Sequence, residues 1–474
     1  MLLQRFFDEK LAQASYLLAC QRARVAIVVD PNRNLEQYSA AARQEHLRIT
    51  HVTETHIHAD FVSGARDLAK HTGAQLCLSD AGGPNWRYAY GTDARAELLT
   101  DGSRIMVGDV TIEAVHTPGH TPEHMTFIVT DTPGANSPIG ALTGDFIFVG
   151  DVGRPDLLER AAGLAGTMED AARQLFRSVR SFSQYPDYMQ LWPGHGAGSA
   201  CGKALGAMPQ STLGYEKRFN WALLEPDEDE FVRQVLSGQP EPPAYFAAMK
   251  RMNRDGPVAA LPATPDTMAP AEIAARIRGG DTVVDIRPAS DFAATHARGT
   301  INVPRNKSFL TWAGSLLPYD RDIYLIAGGS KHETSAAVGE LSLIGLDRVR
   351  GIFEASRLGE LELEGIDMNS TMQVCPAELA ARRDHATILD VRARSEFEEG
   401  HLPDAVNIPL GELEARMADL PPGKIIVHCQ GGGRSAIAAS LLERSGRDGV
   451  ANLTGGYADW AHEGRPVERS NPAR

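Results

Sequence analysis

Short apolar runs alternate with amphipathic stretches through the first half of the chain. Val25-Ala26-Ile27-Val28-Val29-Asp30 is an apolar run of strand length, which predicts a buried strand. Leu47–Thr53 predicts a second strand, and Ser63–His71 a helix with Leu68 and Ala69 on its inner face. Thr111–Val115, Thr126–Val129 and Ala141–Asp145 predict further strands. Such interleaving indicates an α/β protein. Acidic Glu225–Glu230 and proline-rich Gln239–Pro243 then interrupt the pattern. They predict a surface crossing between domains, with one helix around Tyr245–Met252.

The second half repeats itself. Val283-Val284-Asp285-Ile286-Arg287 resembles Ile388-Leu389-Asp390-Val391-Arg392, and Ile301-Asn302-Val303-Pro304 resembles Val406-Asn407-Ile408-Pro409. Asp285 and Asn302 are 17 residues apart, as are Asp390 and Asn407. The copies are offset by about 100 residues, the size of a small domain, which predicts two doubly wound α/β domains. The expected boundaries are 1–255, 256–370 and 371–474.

Composition narrows the class. Hydrophobic residues at 43% and charged residues at 23% are those of a soluble globular protein. A net charge of -14 argues against nucleic acid or an anionic membrane surface as partner. No window of about 20 apolar residues exists, so no membrane span is expected, and Met1–Asp8 does not read as a signal peptide. Cys20, Cys77, Cys201, Cys375 and Cys429 are odd in number and scattered, which predicts reduced thiols and a cytoplasmic location. Chain length favours a homo-oligomer.

Candidate chemistry concentrates in a few motifs. In Thr55-His56-Ile57-His58-Ala59-Asp60-Phe61, two histidines two apart at a strand end direct both imidazoles to one side. A dinuclear hydrolase built on this pattern needs a histidine after the aspartate; Phe61 stands there instead, so one metal is expected. Further candidate ligands are His120 in Pro118-Gly119-His120-Thr121, Asp145 at a strand end, and His195 in Pro193-Gly194-His195. Two histidines and one carboxylate with open positions suit non-heme Fe(II). His51, His71, His116 and His124 read as structural or solvated.

A strand delivers Cys429 to the turn Gln430-Gly431-Gly432-Gly433, followed by Arg434 and a helix near Ser435. Convergent backbone N–H groups, a helix N-terminus and Arg434 form an anion cradle for a thiolate or persulfide. Cysteine phosphatases need five residues between cysteine and arginine; this loop has four, which favours sulfur over a phosphoryl group. The aligned loop Ala327-Gly328-Gly329-Ser330-Lys331 has no cysteine and cannot form a persulfide. Cys201, close to Lys203, is a candidate persulfide-carrying or substrate-contacting thiol, with its pKa expected to be lowered by the lysine. Cys20, Cys77 and Cys375 read as structural.

The HxHxD, PGHT, GDF and PGH motifs in this order resemble the metallo-β-lactamase fold, an αββα sandwich. Phe61 followed by Gly150-Asp151-Val152-Gly153-Arg154-Pro155-Asp156 is closer to its persulfide dioxygenase branch. That resemblance implies one Fe(II) per chain on His56, His120 and Asp145. It leaves His58, Asp60 and His195 beside the metal or the substrate, and Arg154 near the substrate mouth. The Cys429 loop, with Glu396-Phe397, Gly400-His401-Leu402-Pro403 and Thr454-Gly455-Gly456-Tyr457, resembles rhodanese sulfurtransferases. The order as a whole resembles multidomain persulfide dioxygenase–sulfurtransferases. The implied reaction oxidises a low-molecular-weight persulfide with O2 to thiol and sulfite, and Cys429 then passes a second sulfur to sulfite, giving thiosulfate. The alternatives are a two-metal thioester or lactone hydrolase, and a non-enzymatic persulfide carrier or sensor.

Overall fold

The computed structural model describes residues 1–160, 166–203, 205–256, 265–381 and 386–469. The chain forms two compact units, Met1–Leu261 with Ser342–Gly345, and Pro262–Leu341 with Leu346–Arg474. Residues 257–264, just after the expected boundary at 255, lie outside the described residues.

The first unit is built on two six-stranded sheets. In one, Leu2–Asp8, Gln13–Cys20, Val25–Val29, Arg48–Thr53, Gln75–Ser79 and Glu97–Leu99 lie side by side in chain order. In the other the order is Ser211–Thr212, Gln190–Pro193, Gly140–Gly144, Met125–Asp131, Val110–His116 and Arg104–Val107. Strand alternation explains why the central strands read as unbroken apolar runs. Leu18, Ile27, Val29, Phe127 and Trp192 meet between the sheets. Their neighbours Leu17, Val28 and Ile128 point the opposite way, into two outer cores covered by helices. Tyr38 and Leu68 cover one sheet, and Leu175, Val179 and Phe231 the other. The result is the expected αββα sandwich. Burying each such side chain contributes about 1.5–3 kcal/mol.

One expectation fails here. Glu225–Glu230 is no surface crossing. Asp227 caps the helix Glu228–Leu236, its carboxylate accepting from the Glu230 N–H at 2.8 Å, and Phe231, Val232 and Val235 enter an outer core. Carboxylates gather there because a helix N-terminus stabilises negative charge. The helix expected around Tyr245–Met252 spans Phe246–Asp255. Among the described residues no helix is long and apolar enough to cross a membrane.

The second unit holds two parallel sheets of like order. The first runs Ile301–Asn302, Thr282–Asp285, Ile323–Ala327, Val349–Glu354; the second runs Val406–Asn407, Thr387–Asp390, Ile425–His428, Val450–Leu453, Met372–Val374. The repeat extends to single hydrogen bonds. Asn302 Nδ2 donates to the carbonyls of Asp285 and Arg287, at 2.9 and 3.1 Å, and Asn407 Nδ2 to those of Asp390 and Arg392, at 2.9 and 3.0 Å. Arg287 grips Asp285 as Arg392 grips Asp390, each with a closest approach of 2.6 Å.

Candidate metal centre and cysteine loop

The histidine-rich loops all leave C-terminal strand ends of the first unit. His56 follows Arg48–Thr53, His120 follows Val110–His116, Asp145 follows Gly140–Gly144, and His195 follows Gln190–Pro193. Close packing sets their path. A Cβ on Gly144, whose φ is +50°, would lie 2.4 Å from Thr55 Oγ1, and a Cβ on Gly153 would lie 1.8 Å from the Asp145 carbonyl. Asp30 ties two loops together, accepting from the Thr55 N–H at 2.6 Å, from Thr55 Oγ1 at 2.9 Å and from His58 Nε2 at 3.1 Å. Asn253 fastens the same loop, bonding the carbonyls of His58 and Phe61 at 2.8 and 2.7 Å.

His56, His120 and Asp145 offer three ligand atoms within 4.8 Å of one another, all buried. Their tautomers are fixed from behind. His120 Nδ1 donates to the Arg154 carbonyl at 3.0 Å. Thr55 Oγ1, which gives its proton to Asp30, accepts from His56 Nδ1 at 3.0 Å. Both Nε2 lone pairs are therefore free, and they face Asp145 Oδ2 at 3.9 and 3.6 Å. Neither Asp145 oxygen receives a nitrogen or oxygen donor among the described residues. Burial, then the charges of His58, His120, His124 and His195, holds His56 well below the usual histidine range. Burial drives His120 down to about 3, against its bond to the Arg154 carbonyl. Burial also raises Asp145 to about 6. Neutral imidazoles, free lone pairs and an unpartnered carboxylate are the donor set a divalent metal completes.

The flanking residues divide. His195 Nδ1 donates to the Ala12 carbonyl at 2.9 Å, and its Nε2 lies 3.3 Å from Asp60 Oδ2 and 3.5 Å from Asp145 Oδ2. Burial opposes charge on His195, but Asp145 and Asp60 outweigh it and raise its pKa. His58 is outside the triad. Burial opposes its charge too, yet Asp30, Glu54 and Asp60 push it up to about 9, and its Nδ1 is unpartnered among the described residues. Phe61 is buried against the His58 ring at 4.4 Å.

Two sequence expectations need correction. The Arg154 guanidinium does not line a substrate mouth. It is 0% exposed, binds both Asp156 oxygens at 2.7 Å, and donates to the carbonyls of Ala200 and Pro240 at 3.0 and 2.7 Å. Only its backbone serves the centre, through His120. Lys203 does not lower the Cys201 pKa, because Lys203 Nζ is bound by the carbonyls of Gln234 and Ser237. Burial, then Asp145 and Asp60, pushes the Cys201 thiol well above its usual range. His124 takes the structural of its two expected roles. It is fully buried, its Nδ1 meets Thr117 Oγ1 at 2.8 Å, and its Nε2 accepts the Asp145 N–H at 3.2 Å.

In the second unit the strand Ile425–His428 ends at Cys429, and the helix Gly433–Arg444 starts four residues later, slightly before its expected start. Cys429 Sγ accepts from the Gly432 N–H at 3.1 Å and from Ser435 Oγ at 3.5 Å. Gly432, with φ +97°, makes that turn possible. Gln430 and Gly431 are exposed around the buried thiol. Arg434 is committed to Glu396, with two bonds of 2.6 and 2.8 Å. Tyr457 and Ala458 donate backbone N–H groups to the carbonyls of Cys429 and Gln430, at 2.8 and 2.9 Å. In the other copy, Glu333 Oε2 accepts from Ser330 N and Oγ, at 2.7 and 3.0 Å. A carboxylate there fills the turn.

Comparison with known proteins agrees with this division. Residues 10–182 match the metallo-beta-lactamase superfamily, and residues 269–352 and 376–463 match the rhodanese-like domain. The chain is 30% identical to "Persulfide dioxygenase ETHE1, mitochondrial" of Bos taurus, over 41% of this chain and 68% of that protein. It is 32% identical to a sulfurtransferase of Allochromatium vinosum, over 18% of this chain and 82% of that protein. A solved metallo-beta-lactamase structure from Staphylococcus aureus subsp. aureus COL is 43% identical. It covers 74% of this chain and 99% of its own, with a TM-score of 0.69.

Proposed function

Because the chain belongs to the metallo-β-lactamase superfamily and carries two rhodanese-like domains as well, we propose that it is a persulfide dioxygenase coupled to a sulfurtransferase. The observation that carries this reading is the pair of free Nε2 lone pairs facing the Asp145 carboxylate, which has no nitrogen or oxygen donor among the described residues, with apolar Phe61 packed on the neighbouring His58 ring. His56, His120 and Asp145 would hold one Fe(II). Bound there, ferrous iron supplies open positions at which a persulfide sulfur and O2 can meet. The net reaction is R–S–SH + O2 + H2O → R–SH + sulfite + two protons. His195 Nε2, 3.3 Å from Asp60 Oδ2, can take up and hold a released proton. Thr55, Asp30 and the Arg154 carbonyl keep the imidazoles aimed.

Cys429 is the second reacting group. Its thiolate attacks the outer sulfur of another persulfide; the S–S bond breaks, R–S⁻ leaves, and Cys429 carries –S–SH. Sulfite then takes that sulfur as thiosulfate and restores the thiolate. The Gly432 N–H, Ser435 and the helix N-terminus stabilise the sulfur anion in both steps. The degenerate copy takes no part in this chemistry, since its loop has no cysteine. Glutathione and coenzyme A persulfides are both candidate substrates, with a cytoplasmic homo-oligomer as the expected setting.

The test is O2 consumption by the iron-loaded full chain with a glutathione or coenzyme A persulfide, assayed for sulfite and thiosulfate. O2 uptake ending in thiosulfate is expected. An iron-loaded protein that consumes no O2 overturns the dioxygenase half.

A further inference from the structure

The two rhodanese-like copies differ at a buried position that the proposed reaction leaves unused. Asp390 is in register with His428 across its parallel sheet, and its counterpart Asp285 with Ile326. Both copies keep the same aspartate–arginine pair, so the scaffold itself needs no imidazole there. His428 is fully buried, and neither ring nitrogen has a well-aligned hydrogen-bond partner among the described residues. A buried polar group left in this way costs stability, and one copy of the repeat avoids that cost with isoleucine. The copy that bears the reactive cysteine keeps it, which points to a role in the reaction.

Two acceptors face the ring. Asp390 Oδ2 lies 3.5 Å from Nε2, and the other acceptor is the carbonyl of Cys429 itself. A neutral imidazole carries one N–H and can serve only one of them; an imidazolium carries two. Burial holds His428 below its usual range, with Arg392 and His401 pushing the same way, while Asp390 and the Cys429 carbonyl oppose it. At rest the ring is therefore neutral. The arginines beside the loop bring no spare charge, because Arg392 binds Asp390 and Arg434 binds Glu396. We propose that His428 is the counter-charge of Cys429: when the sulfur becomes an anion, His428 takes up a proton and bridges Asp390 and the Cys429 carbonyl as the imidazolium. Cys429 S–H gives its proton to solvent, the imidazole gains one from solvent, and no other bond changes. His428 is a positioning residue, because it acts through the backbone and charge of Cys429. The proposal rests on Cys429 as the reacting group of the sulfurtransferase.

The test uses the full chain and follows alkylation of Cys429 by iodoacetamide, resolved by peptide mass spectrometry, from about pH 5 to 9. His428→Ile, the residue that the other copy carries at this register, should slow alkylation at neutral pH about tenfold and move the whole profile to higher pH. His428→Asn, which keeps a donor but cannot become charged, should behave as His428→Ile does. Transfer of sulfur to sulfite should lose a similar factor in kcat with little change in KM. A denaturant midpoint at or above that of the unmutated chain reports that the His428→Ile fold is intact. Alkylation profiles of both variants that superimpose on that of the unmutated chain overturn the proposal, and so does full rescue by His428→Asn. If the profiles move as expected but the unmutated chain yields no thiosulfate, the sulfurtransferase reading fails and the counter-charge stands. A thiosulfate-forming chain whose profile ignores His428 fails only the counter-charge.

Discussion

Around His56, His120 and Asp145, lone pairs and carboxylate oxygens face one another with no donor between them. Around Cys429 the opposite holds: the sulfur has its Gly432 and Ser435 donors, and Arg434 has Glu396. One region is complete only with an added cation; the other is electrostatically closed by its own side chains. The degenerate copy adds a control. Its scaffold makes the same Asn–Asp–Arg bonds, while its turn is filled by Glu333. Folding and reactivity are thus separable here, because the repeated hydrogen bonds belong to the scaffold and the differing atoms to the loop.

The largest expected effect comes from chelation. Removing the metal should abolish O2 uptake while Cys429-dependent transfer to added sulfite persists. An ion at a hundred times its Kd stabilises by about 2.7 kcal/mol, so hydrogen exchange should quicken in the loops at 56–61, 118–124 and 145–154 but not in the strand Ile425–His428. Equal loosening of both units would break the contrast. Next is Cys429→Ser, which should leave sulfite as product in place of thiosulfate at unchanged O2 uptake, whereas Glu333→Gln should leave the product as thiosulfate. Loss of O2 uptake in Cys429→Ser would mean that the two centres are coupled.

The pH dependence should have opposite signs. Burial raises Asp145 from 3.8 to about 6 and Glu54 from 4.5 to about 7. The folded metal-free protein therefore binds these protons more tightly than the unfolded chain. Its stability is full at low pH and falls as pH rises from about 4 to 7, by on the order of 3 kcal/mol for Asp145 alone. Asp145→Asn should flatten that slope, and bound metal should mask it. Burial opposes the Glu396 charge, but Arg434 prevails and lowers its pKa. Its contribution is present above pH 4.5 and is lost as the pH falls through its lowered value. Denaturant midpoints across this range, with and without chelator, check both signs. The smallest effect is Ser435→Ala. Losing one hydrogen bond to a thiolate costs about 1.5–3 kcal/mol, so alkylation of Cys429 at fixed pH should slow roughly tenfold to a hundredfold.

The sandwich and the two sheets were legible because alternation and repeat spacing are local properties of the chain. The positions of Asp145 and Cys429 at the ends of apolar strands, and of His56 and His120 in loops that follow strands, were legible for the same reason. What resisted reading depends on partners distant in sequence. Asp30 and Asn253 act through loops they do not adjoin, though an aspartate closing a buried strand was a usable signal. Which of its two expected roles His124 takes, structural or solvated, depends on Thr117 and the Asp145 N–H, its partners across the loops. Arg154 was misread although Asp156 stands two residues away, because a charged loop residue gives no sign of which way it turns. Glu225–Glu230 had the composition of a linker and the function of a helix start.

His120 and His195 are both aimed by peptide carbonyls, those of Arg154 and Ala12. No change of side chain deletes a carbonyl. The orientation of these rings is therefore inherited from loop length and path, and the lesions that reach it most directly are insertions and deletions. Among diverging versions of this chain, the segments around 12 and 150–156 should tolerate many spellings and very few changes of length.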